Sequence, residues 1–403
     1  MDRRTMVRAA PAAVAVLLLA AACGGSDSTS SPSESGGSAA APPSLAAAAS
    51  VGTGEGQLNI IAWAGYAEDG TNDKSVDWVT PFEQQTGCQV NVKIGNTSDE
   101  MVTLMKTGQY DGVSASGDAT LRLIYSGDVA PVNTDLVPNY ASVAPFLKDR
   151  PWNSVNGHMY GIPHGWGANV LSWRTDKVSP APDSWGVVFD PNSQYKGKIT
   201  AYDSPIYIAD AALYLKATKP DLKITNPYEL DDAQFQATVD LLKQQRTLIG
   251  EYWADYTKAV QALESGDTVL GTQWQVNVNL VNAGSKAKVD SIVPKEGSTG
   301  WSDTWMISSK AKHPNCMYLW MDHIISPEAN AKATEYFGEA PSSREACKFT
   351  ADKNHCKTFH AEDEDYFKQI WYWTTPVADC GDDRGQVCKD YSEWTQAWTE
   401  IKG

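Results

Sequence analysis

The chain has 403 residues, a formal net charge of −16 and 15 tryptophans. So acidic a balance excludes a nucleic-acid binder, whose phosphate contacts need clustered Lys and Arg, and is compatible with cationic ligands. The length allows two domains with substantial cores, and beyond Val51 no apolar run is long enough to span a bilayer.

Arg3, Arg4 and Arg8 precede an apolar stretch at 9–22, which ends at Cys23. This pattern reads as an export signal over residues 1–22, and LLLAAAC looks like a lipoprotein box with Cys23 as the lipidated residue. The Arg3-Arg4 pair is also compatible with twin-arginine export. Loss of the signal removes three arginines and one aspartate, moving the charge from −16 to −18. Residues 23–56 are rich in Ser, Gly, Ala and Pro without an apolar period, so they read as a flexible tether. The expected location is outside the cytoplasm, periplasmic or on the outer face of the cell membrane, with the lipid anchor as the sole membrane contact.

Apart from Cys23, six cysteines remain: Cys88, Cys316, Cys347, Cys356, Cys380 and Cys388. An even number in an exported chain implies three disulfides. The spacings favour Cys347–Cys356 and Cys380–Cys388 as local loops, with Cys88–Cys316 crossing the chain. A metal site on Cys356, His355 and His360 is the competing reading, but a CxxC spacing is missing. No metal or cofactor is expected.

LNIIAW (58–63) reads as a buried strand, SVDWVTPFEQQTG (75–87) as a helix stopped by Gly87, and CQVNVKIG (88–95) as an alternating strand. SDEMVTLMKTG (98–108) is a second helix, and YDGVSAS (110–116) leads into another strand. Further helices are expected around Leu213, over 231–249, over 258–267 and over 313–325. TVLGTQW (268–274) is a strand between the third and fourth of these, and Ser326-Pro327 opens one more helix. Alternating units of this kind imply an α/β protein with mainly parallel sheets.

Ligands of such sheets sit where strands end and loops begin. Trp63, Ser116, Asp203 and Trp274 fall at strand ends, and GWSDTW adds Trp301 and Asp303. Aromatic faces and carboxylates together suit an organic ammonium. Each residue also has a plain reading: a lone Trp is usually core, Asp203 can cap a turn, and Asp303 can accept a hydrogen bond at a hinge.

The order AWAGY, YDGVSAS, GIPHGWGAN, TAYDSP, SGDTVLGTQW, PKEGSTGWSDTW and FGEAPSS resembles the spermidine/putrescine-type solute-binding proteins of ABC transporters, and within them a YdcS-like branch. The resemblance covers about 58–343. It implies a type II periplasmic-binding-protein fold, two α/β lobes joined by a hinge that close over ligand. Lobe one would hold 57–165 and 304–362, lobe two 166–303, with 363–403 a disulfide-containing segment packing back on both. The chain would cross out near 161–169 and return near Trp301 to Trp305.

Carried over residue by residue, the ligand would meet Trp63, Tyr66, Ser116, Asp203, Trp274, Trp301 and Asp303, the last as the main ammonium acceptor. Asp118 and Glu339 stand where the family carries tyrosines, Ile206 where it carries a second amine-binding glutamate, and Gly65 where an acid is common. The implied function is that of a monomeric, lipid-anchored receptor passing a small amine or cationic solute to an ABC permease. Polyamine itself is put in doubt by those departures, which leave an amino-acid-derived ligand open. The contrasting class is an enzyme with polyhydroxybutyrate-synthase-type acyl transfer, but no G-x-[CS]-x-G elbow is present and the disulfides leave no thiolate. A sugar receptor would need more Asn, Gln and Arg at the strand ends.

Overall fold

The computed structural model describes residues 41–71, 73–284 and 286–403. The export signal, Cys23 and the first part of the tether lie outside these residues. Residues 48–55, grouped with the tether on composition, are hydrogen-bonded to the body. Asn133 Nδ2 donates to Ala48 O, and the Glu55 carboxylate accepts from the backbone N–H groups of Asn315 and Cys316. Those N–H groups belong to the first turn of the helix Pro314–Ile324, which has no partner for them within itself.

Leu58, Ile60 and Ile61 are completely buried in β1 (Gln57–Ala62), the strand that the apolar run predicts. It pairs in parallel with β2 (Gln89–Ile94) and β3 (Gly112–Ala115). Helices Val79–Thr86 and Ser98–Lys106 make the crossovers, the first closed by Gly87 in the left-handed conformation. Because β2 is an edge strand, the alternating face read from CQVNVKIG is partly open, with Val92 36% and Ile94 38% exposed.

After the small hairpin β4 (Ser154–Val155) and β5 (His158–Met159) come β6 (Ile162–Ala168) and β7 (Val170–Arg174). The rest are β8 (Ile199–Tyr202), β9 (Ile249–Trp253), β10 (Leu270–Gln273), β11 (Val289–Ile292), β12 (Ser298–Ile307), β13 (Ala340–Pro341) and β14 (Ile370–Tyr372). They form two large sheets. The first has the order β13-β6-β12-β3-β1-β2, with β14 also on β12, and the second β11-β7-β10-β8-β9.

Both sheets are mixed rather than mainly parallel. β12 runs antiparallel to β3 and β6, and β7 runs antiparallel to β10 and β11. These are the strands that carry the chain between sheets, so they enter each sheet against the direction of the crossover units. The helix expected over 231–249 stops at Gln245 after a capping box of Asp231 and Gln234. Ile249 instead opens β9, whose β-branched and aromatic residues pair with β8.

The chain passes from the first sheet to the second at Asn169, between β6 and β7, and returns between β11 and β12 at 293–297, ahead of Trp301. Asn169 and Thr299 join the two passages. The Asn169 N–H donates to Thr299 O at 2.8 Å, and Asn169 Nδ2 donates to Thr299 Oγ1 at 2.6 Å. The C-terminal segment makes a third passage, from β14 to the helix Tyr391–Lys402, which packs against the helix Asp232–Gln245.

All three expected disulfides are formed: Cys88–Cys316, Cys347–Cys356 and Cys380–Cys388. Cys356 is thereby withdrawn from any metal site with His355 and His360. The first bridge closes a loop of 228 residues and the second one of 9. Chain-entropy reasoning then gives about 5 kcal/mol for the first and about 3 for the second. Replacing Cys88 and Cys316 together by alanine is therefore expected to lower the unfolding free energy in denaturant titration more than the same change at Cys347 and Cys356; the reverse order would contradict the loop argument.

Candidate functional site

Trp63 follows β1, Ser116 follows β3, Asp203 follows β8 and Trp274 follows β10, as the strand-end reading requires. Trp301 and Asp303 lie within β12, two residues apart and so on one face of it. Trp63, Ser116, Trp274, Trp301 and Asp303 meet around a narrow cavity, together with Phe337 and Trp373. Trp274 comes from the second sheet and Trp63, Trp301 and Asp303 from the first, so the cavity lies where the two sheets face each other.

The aromatic walls contact one another. Trp274 lies 5.8 Å from Trp63, 6.2 Å from Trp301 and 5.1 Å from Tyr202, centroid to centroid. Trp301 in turn lies 6.5 Å from Trp373 and 6.4 Å from Phe337. Edge-on and tilted geometry of this kind leaves ring faces available to a cation, each worth roughly 0.5–2 kcal/mol.

Asp303 is the carboxylate of the cavity and is 3% exposed. Ser116 Oγ donates to its Oδ1 at 2.6 Å and Tyr66 Oη to its Oδ2 at 2.8 Å. Burial pushes its pKa up to about 7, against the pull of those two hydrogen bonds. Tyr66 Oη also lies 3.1 Å from Glu339 Oε2. A phenol has one hydrogen and cannot donate to both acids. Burial and the neighbouring Asp303 hold the Glu339 carboxyl well above the usual range, so Glu339 carries a proton. It donates to Tyr66, and Tyr66 donates to Asp303.

Behind Glu339, the indole N–H of Trp305 donates to His164 Nδ1 at 3.3 Å. Since an indole N–H only donates, His164 is the neutral tautomer with its hydrogen on Nε2, and burial pushes its pKa down to about 3. Its Nε2 lies 3.4 Å from Glu339 Oε1. This is a polar contact of an uncharged ring, not an ion pair.

Two glycines of GWGAN explain themselves here. A Cβ on Gly165 would lie 2.5 Å from Glu339 Cδ, and one on Gly167 would lie 2.7 Å from the Trp301 ring. Only a bare backbone lets both side chains seat against β6.

Of the nine expected ligand residues, Trp63, Ser116, Trp274, Trp301 and Asp303 line the cavity. Tyr66 and Glu339 act one step behind, through Asp303 and Trp301. The structure does not bring Asp118 or Asp203 to it. Asp118 accepts from Ser98 Oγ at 2.8 Å, and burial pushes its pKa up to about 6. Asp203 is turned to the C-terminal helix, where Lys402 Nζ lies 2.6 Å and Trp398 Nε1 3.0 Å away. Phe337, Trp373, Tyr202 and His164 were not anticipated. Trp373 sits in the aromatic run IWYW, whose density was the available signal, but it belongs to a segment that carried no strand assignment.

The match to the family described as bacterial extracellular solute-binding protein spans residues 77–358. A putrescine/cadaverine-binding protein of Pseudomonas aeruginosa is 25% identical over 88% of this chain and 96% of its own length. The putrescine-binding periplasmic protein PotF of Escherichia coli is 23% identical over 72% and 78%. Among solved structures, the spermidine/putrescine transporter substrate-binding protein PotD of Streptococcus pneumoniae superimposes with a TM-score of 0.66 at 19% identity, covering 86% of this chain and 97% of that one. These similarities carry the type II periplasmic-binding fold, and with the family match extending across most of the folded body, the chain belongs to the bacterial extracellular solute-binding proteins.

Proposed function

We propose that this chain is the extracytoplasmic receptor of an ABC importer and captures a small amine or organic cation in the tryptophan cavity. The observation that carries the reading is Asp303: a buried carboxylate, held by Ser116 and Tyr66, inside an aromatic cavity. Among the described residues no Lys or Arg forms an ion pair with it, while the aromatic rings around it favour positive charge. Buried charge without a partner is costly, and a cationic solute removes that cost on binding.

The relatives support the transport role, since their names speak of putrescine, cadaverine and spermidine binding and of periplasmic proteins. The family is one of binding proteins rather than of enzymes. Opening between the two sheets, hinged at the Asn169 and 293–297 passages, would admit solute, and closure would place Trp274 against it. Lipidation at Cys23 would tether the receptor beside its permease, and the receptor would work as a monomer.

Asp303→Asn keeps the size of the side chain and one acceptor oxygen and removes its charge. Calorimetry with putrescine and butylamine should show at least about thirtyfold weaker binding of whichever amine the wild type takes, the low end of the cost of breaking a desolvated charge pair. Unchanged affinity would remove Asp303 from the site.

The raised pKa sets a pH dependence as well. Below pH about 7 the unliganded Asp303 is protonated and must lose its proton to receive a cation, so affinity falls as pH falls. Between pH 8 and pH 6 the loss should approach about tenfold, with proton release on binding at pH 6. Affinity independent of pH would show that ionisation of Asp303 is not coupled to binding.

A further inference from the structure

Four acids cluster near the strand ends that face the cavity: Asp303, Glu339, Asp118 and Asp203. Their surroundings divide them sharply. Glu339 shares Tyr66 with Asp303, and the proton held on Glu339 leaves the pair one negative charge, on Asp303. Asp118 lines no part of the cavity and faces Ser98.

Asp203 already has its cation. Lys402 Nζ lies 2.6 Å from Oδ1, and the same oxygen accepts from the Trp398 indole at 3.0 Å. Trp398 is itself packed edge-on against Tyr207 and Tyr252, which fixes the C-terminal helix over the end of β8. Tyr202, the residue before Asp203, contacts Trp274 and Trp373 of the cavity wall, so Asp203 is directed to the opposite side of the strand.

Trp301 also borders a second, wider cleft. Its lining includes Trp166, Gln275, Ser291, Thr358, His360 and Tyr366, and contains neither Asp nor Glu. A solute longer than the inner cavity therefore meets polar and aromatic groups beyond Trp301, and the carboxylate next to this lining, Asp363, is paired with His360 at 3.3 Å. A second ammonium placed against this lining would lose water without gaining a carboxylate from it.

We infer that the site selects a solute with one cationic nitrogen and an uncharged remainder, and that Asp203 with Lys402 is a clasp for the C-terminal helix rather than a second amine-binding pole. The inference rests on the proposed amine-receptor function and narrows its substrate class. The selection comes from the single carboxylate of the cavity, Asp303, since Asp203 is turned away from the cavity and held by Lys402.

Butylamine and putrescine have the same four-carbon chain and differ by one terminal ammonium, which makes them the discriminating pair. Calorimetry on the full chain at pH 8 should give butylamine at least about tenfold tighter binding than putrescine. Asp203→Asn should leave that ratio within about twofold while lowering the melting temperature through loss of the clasp. Should Asp203→Asn not fold, Lys402→Met supplies the same test, since the freed Asp203 should still confer no preference for putrescine. Putrescine binding as tightly as butylamine or more so, with the excess lost in Asp203→Asn, would overturn the single-charge inference and leave the amine receptor standing. Binding of neither amine, nor of tetramethylammonium, would overturn both.

Discussion

One buried carboxylate governs the site. Asp303 keeps its charge available because Ser116 and Tyr66 each supply one hydrogen bond and, among the described residues, no Lys or Arg forms an ion pair with it. Everything around it serves that condition. Glu339 holds a proton and passes a donor to Tyr66, and burial keeps His164 neutral while Trp305 fixes its tautomer by donating to Nδ1. Without that chain of donors, two carboxylates within reach of one phenol would repel each other in a medium with little screening.

The fold makes such a site possible by bringing two sheets' strand ends together. β12 supplies Trp301 and Asp303 from the first sheet, and β10 delivers Trp274 from the second. The two passages flanking β12 and β6 are tied by Asn169 and Thr299, so the crossing between the sheets begins directly beside the cavity walls. Gly165 and Gly167 allow Glu339 and Trp301 to lie flat against β6. The C-terminal passage adds Trp373 to the cavity and brings Lys402 to Asp203, which gives a segment beyond the family match at 77–358 a direct part in the site.

Much of this was legible in the residues. Apolar runs and glycine stops placed β1, β3, β10 and the helices that follow β1 and β2, and the strand-end rule pointed to Trp63, Ser116 and Trp274. Cysteine spacing anticipated all three bridges. What escaped was set by tertiary context. Asp203 sits at a strand end like the others, but only the fold reveals that Lys402, 199 residues later, neutralises it. β9 escapes because its short IGEYW run carries no period of its own, and the helical reading of 231–249 takes in only its first residue, Ile249. Trp373 and Phe337 follow a short strand and close a helix, positions that say nothing about a cavity until the chain is folded.

The most direct test of the central claim reads the tryptophans themselves. With ¹⁵N-labelled indoles assigned by single Trp→Phe substitutions, addition of butylamine at pH 8 should shift the Nε1 resonances of Trp63, Trp274, Trp301 and Trp373. Trp320 and Trp394, which pack on Phe82 and Phe235 in the cores, should move little. Shifts confined to tryptophans outside the cavity, or unchanged indoles in the presence of bound amine, would contradict a cation seated over Asp303.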